Sequence, residues 1–405
     1  EFIAANQAEA APLVREHPLQ AFSPRAFMGE SPSHARELLD AAQWVRQPIG
    51  ARRNARLLCM QPLPADEAAP RIVGMDELVR WLAHPARHFL RERLRIALEH
   101  EANTLADDEP FSLDPFEAHG LRTRLAKAWR AGRRDDASWQ ALAHADAALP
   151  HGVPGERAYR TLAQSLREEL QTFEALEARV GARNGVPLRV TVGSYTIVAT
   201  LDGVHAQGVL GWRDGKVSMH ARAEAWLAAL LLSCADDAPR DAYWHCREGA
   251  VLVQVPDWSA GAASSVAAHP RDLLAQLLDA YVCARSSPLL CPPLTAWAMF
   301  KAREQNDDAP TARIVAENKA WRPSEREDER RESADPWWRA LFGDATDTVP
   351  DLADLPGAVS AFGTDDFIAL AERVYAPMHA LIHEDAKSLK AYRQALGVDD
   401  DGGDA

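Results

Sequence analysis

Apolar residues recur every three or four positions along most of the chain, and every second position over one central stretch. From Met75 to Glu101, Leu78, Leu82, Phe89, Leu90, Leu94 and Leu98 fall at helical spacing, and Pro85 interrupts them. Two helices or one kinked helix are predicted there. Helical patterns follow near 117–131 and 137–149. Gly152 and Gly155 mark the next start, and a long amphipathic helix is predicted from Glu156 to Val180. The period then changes to two. Leu188, Val190 and Val192 alternate with polar neighbours, and Tyr195 to Leu201, Gly208 to Trp212 and Val217 to His220 read as further strands. Ala221 to Cys234 is helical. Tyr243 to Cys246 and Val251 to Gln254, joined through Arg247-Glu248-Gly249, read as a hairpin. The segments 270–285, 294–305, 311–320 and 365–383 are helical again. Helices, a small central sheet, then more helices describe an α/β fold of the layered α+β kind, helix-rich overall.

The two ends break this pattern. Pro12, Pro18, Pro24, Pro32, Pro48, Pro62 and Pro64 punctuate residues 1–65, which read as an irregular connector. Residues 396–405 read as an acidic tail. The whole chain carries a net charge of −14, and residues 344–405 alone hold 13 Asp and Glu against four Lys and Arg. Such acidity argues against a free-standing DNA binder, whose affinity comes mainly from neutralising phosphates. Hydrophobic residues make up 47% and charged ones 26%, the balance of an ordinary globular chain. No run of 18 apolar residues exists, so no membrane helix is expected. The chain opens on Glu1 without a signal-peptide pattern and reads as a piece of something longer. Cys59, Cys234, Cys246, Cys283 and Cys291 contain no Cys-x-x-Cys pair. Neither a disulfide framework nor a cysteine zinc site is expected, which suits a reducing cytoplasm.

Familiar catalytic motifs are missing. Gly215-Lys216 is followed by Val217, and Leu210 stands where a phosphate-binding loop needs its first Gly. No Gly-x-Ser-x-Gly elbow occurs. His84/His88 and His379/His383 have the spacing of a helical zinc pair, but neither first His is followed by Glu. They read as polar helix positions. The 12 Trp residues point to core packing or a subunit interface more than to base stacking. Trp337 and Trp338, beside Pro-rich loops, are candidate partner contacts. Arg52, Arg53 and Arg56 form a basic cluster, a solvated loop or a candidate contact to DNA or a partner.

Several segments together resemble the C-terminal part of RecC, the gamma subunit of bacterial exodeoxyribonuclease V (RecBCD). They are His17-Pro18-Leu19-Gln20-Ala21-Phe22-Ser23-Pro24, Gln61-Pro62-Leu63-Pro64, Trp81-Leu82-Ala83-His84-Pro85-Ala86-Arg87-His88-Phe89 and Ser287-Pro288-Leu289-Leu290. The likeness runs from about residue 17 to 380. It implies three parts: residues 1–65 as a connector from an absent helicase-like region, 66–395 as an inactivated nuclease-like domain, and 396–405 as the tail. That family part resembles the PD-(D/E)xK nuclease domain of RecB. Such nucleases hold metal ions on carboxylates and meet the phosphate with a Lys.

The resemblance places each position here, and most have changed. Gly155-Glu156-Arg157-Ala158-Tyr159 puts Tyr159 where the nucleases carry His. Ala199-Thr200-Leu201-Asp202 keeps an Asp at Asp202. Leu210-Gly211-Trp212-Arg213 has Gly211 for Asp and Arg213 for Lys, while Arg222 and Trp226 replace Gln and Tyr. His84 stands for the Cys that some relatives use for an iron–sulfur cluster, so no cofactor is expected. From the residues alone, Asp202 is a single carboxylate at an Asp-Gly turn, and Asp214 is read as lying on an Asp214-Gly215 turn off the strand. The resemblance implies a non-catalytic scaffold, RecB-type and RecD-type partners, DNA bound as part of the complex, and double-strand-break repair by recombination. A working metal nuclease and a free-standing single-strand-binding module remain the alternatives.

Overall fold

The computed structural model describes residues 18–28, 32–46, 61–64, 71–98, 112–145, 149–258, 269–305, 308–324, 331–343, 347–351, 354–355, 359–364 and 366–397. The chain divides into two compact units, residues 1–57 and 58–405. In the first, a short 3-10 turn at Pro24–Phe27 precedes α1, Arg36–Arg46. The connector is therefore not irregular throughout. The Pro-free run from Ser33 to Arg46 leaves room for three helical turns.

The second unit opens with β1 (Ile72–Gly74), α2 (Met75–Ala83) and α3 (Pro85–His88), which continues into a π turn at Phe89–Arg93. The break expected at Pro85 is present. The His84 ring accepts the Arg87 N–H at 3.2 Å, so His84 ends one helix and caps the next. Next come α4 (Pro115–Arg130), α5 (Asp136–Ala145) and α6 (Val153–Val180). Pro154 in the first turn and left-handed Gly181 at the end bound α6.

Two sheets follow rather than one. β2 (Val186–Val192) and β3 (Tyr195–Leu201) form an antiparallel hairpin, and β1 joins β3 in parallel, giving the order β1-β3-β2. β4 (Val204–His205), β5 (Gly208–Lys216), α7 (Met219–Asp236), β6 (Asp241–Glu248) and β7 (Ala250–Val253) come next. β5 and β6 pair in parallel across α7, while β6 and β7 form the expected antiparallel hairpin. The strand expected at Val217 to His220 does not exist. The Ser218 hydroxyl accepts the Ala221 N–H at 3.3 Å and starts α7 there.

The remaining α-helices and strands are α8 (Pro270–Ser286), α9 (Pro293–Arg303), α10 (Ala309–Ala316), α11 (Pro336–Phe342), α12 (Phe367–Val374), α13 (Ala376–His379), β8 (Ile382–His383) and α14 (Ala386–Ala395), with a π turn at Glu317–Trp321 and a 3-10 turn at Glu332–Ala334. β8 closes a five-stranded mixed sheet of order β4-β5-β6-β7-β8. The segment 365–383 is thus two short helices and a strand, because Pro377 at the start of α13 cannot continue α12. The fold is α/β and helix-rich, with small mixed sheets.

α7 is the centre of the core. Nearly every residue from Met219 to Cys234 is buried, including Trp226 and the run Leu227 to Leu232. A helix apolar on all sides must be covered on all sides. α2, α8 and strands of both sheets cover it. A smaller cluster joins Leu121, Leu125 and Trp129 of α4, Trp139 of α5, and Tyr159 and Leu166 of α6.

Candidate functional site

Residues of β3, β5 and β6 come together beside Met75 and Asp76 at the start of α2. A cavity of about 160 Å³ lies there, lined by Asp76, Arg130, Asp202, Gly211, Glu224 and Trp244 among others. Asp202 follows the last residue of β3. Its carboxylate accepts the Gly185 N–H at 2.8 Å, while the Asn184 side chain accepts the N–H of Gly203 at 2.8 Å. Gly203 has φ +75°, and a Cβ there would stand 2.0 Å from the Leu210 carbonyl oxygen. Asp202 is therefore the side chain of an Asp-Gly turn, as its local sequence suggests.

Gly211 sits on β5 directly beside Trp244 on β6. A Cβ at Gly211 would fall 2.2 Å from the Trp244 ring. The indole fills the space that a longer side chain on this strand would need. Its N–H donates to Glu224 at 3.2 Å, and Arg213 donates to the same oxygen at 3.1 Å. Burial pushes the Glu224 carboxyl up, against the pull of Arg213 and the indole bond. His220 lies 3.8 Å from Glu224, and burial helped by Arg213 holds its imidazole down at about 4. It is neutral at pH 7.

Of the positions singled out by resemblance, Asp202 and Gly211 share this cavity, and Arg213 reaches it through Glu224. Tyr159 does not. It packs in the α4–α5–α6 cluster, and its hydroxyl donates to Asp136 at 3.1 Å. Trp226 belongs to the main core, 1% exposed. Arg222 lies over Trp297 at 4.5 Å and donates to Glu384 at 2.5 Å, tying α7 to the segment after β8. Among the described residues no three His, Cys, Asp or Glu side chains are placed to hold a metal ion. Asp76, Glu224 and Trp244 escaped the sequence reading. A signal for Glu224 was present: an acid two residues after Arg222, just before the long apolar run Ala225 to Leu232 of the same helix.

Other expectations need correcting. Asp214 is not in a turn off the strand. It lies within β5, buried, and its carboxylate accepts from Arg122 Nε at 2.7 Å and from the His119 ring at 2.9 Å. Arg122 also donates to Glu169 at 2.7 Å. Gly215, at φ +110°, supplies the local irregularity in β5 without ending it before Lys216. Trp337 and Trp338 are not surface contacts. They are 6% and 1% exposed in the main core, and Trp338 stacks on His84 and Phe342. Large aromatics serve cores and interfaces alike, and spacing does not separate the two. Arg52, Arg53 and Arg56 lie outside the described residues. His379 and His383 do not share a helix: His379 ends α13 and packs edge-on to Trp297, and His383 belongs to β8. His84 meets Asp335 at 3.2 Å.

Residues 70–304 match the RecC C-terminal domain family. The chain belongs to that family. It is also 28% identical over 295 residues to the RecBCD enzyme subunit RecC of Escherichia coli (strain K12), a match covering 72% of this chain and 24% of that protein. The chain thus spans about a quarter of the length of this RecC relative. The RecC C-terminal domain match covers β1 through α9, so it contains both sheets except β8. No described helix is long and apolar enough to cross a membrane.

Proposed function

We propose that this chain is the non-catalytic C-terminal domain of a RecC-type subunit. It docks RecB-type and RecD-type partners and helps guide or split DNA during double-strand-break repair by recombination. In this reading the cavity beside Gly211 descends from a PD-(D/E)xK nuclease site and has lost its chemistry. The observation that carries it is the Trp244 indole lying where a carboxylate on residue 211 would project. Metal-assisted hydrolysis needs converging carboxylates. Here Asp202 serves a turn, and Glu224 is engaged by Arg213 and Trp244. The relative's description as a subunit of the RecBCD enzyme supports the assembly role.

The docking role is tested by co-expressing the chain with RecB-type and RecD-type subunits and an unrelated subunit as control. Co-purification with at least one of the former and not with the control is expected. Equal recovery of the control would overturn the docking role.

A further inference from the structure

A cleft of about 750 Å³ opens between α4 and α6 and shares no lining residue with the cavity beside Gly211. Much of its wall is apolar: Leu113, Ala118, Val153, Pro154, Ala158 and Leu162. Val153 is 76% exposed, so part of that apolar wall faces solvent. Pro154, Ala158, Thr161 and Ser165 recur at three- and four-residue steps along α6. The cleft therefore follows α6 for about three turns, roughly 17 Å.

Its charge runs against that of the chain. Arg122, Arg157 and Arg247 line it and no Asp or Glu does, although the chain carries −14 overall. Arg122 is occupied by Asp214 and Glu169. Arg157 is exposed, and its guanidinium has no partner among the described residues. Among the described residues Arg247 has only Glu248, 3.9 Å away, and both are well exposed. The positive end of the α6 dipole lies at Val153, at the same end of the cleft.

We propose that this cleft receives an acidic amphipathic helix from a partner protein, its apolar face on Ala158 and Leu162 and its carboxylates on Arg157 and Arg247. The dimensions suit a helix of about 11 residues, and an apolar shelf with charged rims is how grooves take amphipathic helices. Nucleic acid fits less well, because phosphate binding draws on many free cations and gains nothing from an apolar wall. The proposal depends on the docking role only in expecting a protein as partner.

The test is fluorescence anisotropy of the whole chain at about 0.15 M salt. The probe is a labelled peptide of about 12 residues with Leu at i, i+3, i+4 and i+7 and Glu elsewhere. The same peptide with Lys for Glu, and a single-stranded DNA of similar length, are the comparisons. The Glu peptide should bind and the Lys peptide should not. Arg157→Glu combined with Arg247→Glu should weaken binding at least about tenfold. Thr161→Trp, which fills the cleft and leaves the charges in place, should weaken it as much. All three side chains are exposed, and unchanged circular dichroism confirms the fold. The proposal is overturned if the Glu peptide fails to bind, if the Lys peptide binds equally, if the double variant keeps its affinity, or if DNA binds more tightly. Loss of subunit co-purification by a chain that still binds the Glu peptide counts against the docking role alone.

Discussion

The indole of Trp244 lies across Gly211, close enough that a Cβ on residue 211 would stand 2.2 Å from the ring. The two residues are register partners on parallel strands, so neither can move aside without disturbing the β5–β6 ladder. Gly211→Asp therefore overpacks the sheet before its carboxylate can serve any purpose. A loss of about 1–3 kcal/mol, or more, is expected in urea unfolding. Combined with Trp244→Ala, the same substitution should cost less than the sum of the two single changes, because the second removes the clash. Additive costs would show that the ring yields easily.

Asp214, inside β5, and Asp202, just past the end of β3, should differ sharply in what they contribute to stability. Asp214→Ala removes one of two carboxylates from the buried Arg122, for which a loss of about 3–5 kcal/mol is expected. Asp202→Ala removes one hydrogen bond from a turn and should cost about 1 kcal/mol. Denaturant midpoints of the two variants read the contrast directly.

Trp338 is an anchor of the core rather than of an interface. Trp338→Ala should destabilise the chain by about 3–5 kcal/mol. Thermal unfolding checks this. A variant with unchanged stability that had lost only partner binding would restore the surface reading of Trp338.

Glu332 makes stability depend on pH. Its buried carboxyl accepts the N–H groups of Leu294 and Thr295 and the Thr295 hydroxyl, at 3.0, 2.8 and 2.7 Å, at the start of α9. Burial outweighs these bonds and pushes it from 4.5 up to about 7. A carboxyl raised by folding binds its proton more tightly in the native state. Its contribution is fully present below about pH 4.5 and is lost as pH rises through about 7. Glu332→Gln, which keeps an acceptor and removes the titration, should flatten that part of the stability profile. An unchanged profile would place the dependence elsewhere.

Much of the fold was legible because periodicity is a local property. The break at Pro85, the long α6 and the β6–β7 hairpin all follow from spacing and from Pro or Gly at the right place. What was not legible depended on distant neighbours. Asp214-Gly215 has turn chemistry, but Arg122, 92 positions away, holds Asp214 inside the strand. Trp337-Trp338 looks like an exposed anchor until His84 and Phe342 are seen stacked on Trp338. At the cavity, Gly211 and Asp202 could be named by resemblance. The roles of Trp244 and Glu224 appear only when β6 and α7 are brought beside β5.

The non-catalytic reading predicts no nuclease chemistry at this cavity. The decisive measurement is release of acid-soluble nucleotides from single- and double-stranded DNA by the purified chain, with Mg²⁺ or Mn²⁺ supplied. No release above background is predicted with either metal. Metal-dependent release that vanishes in Asp202→Ala would show that Asp202 is a metal ligand, and would contradict the non-catalytic reading.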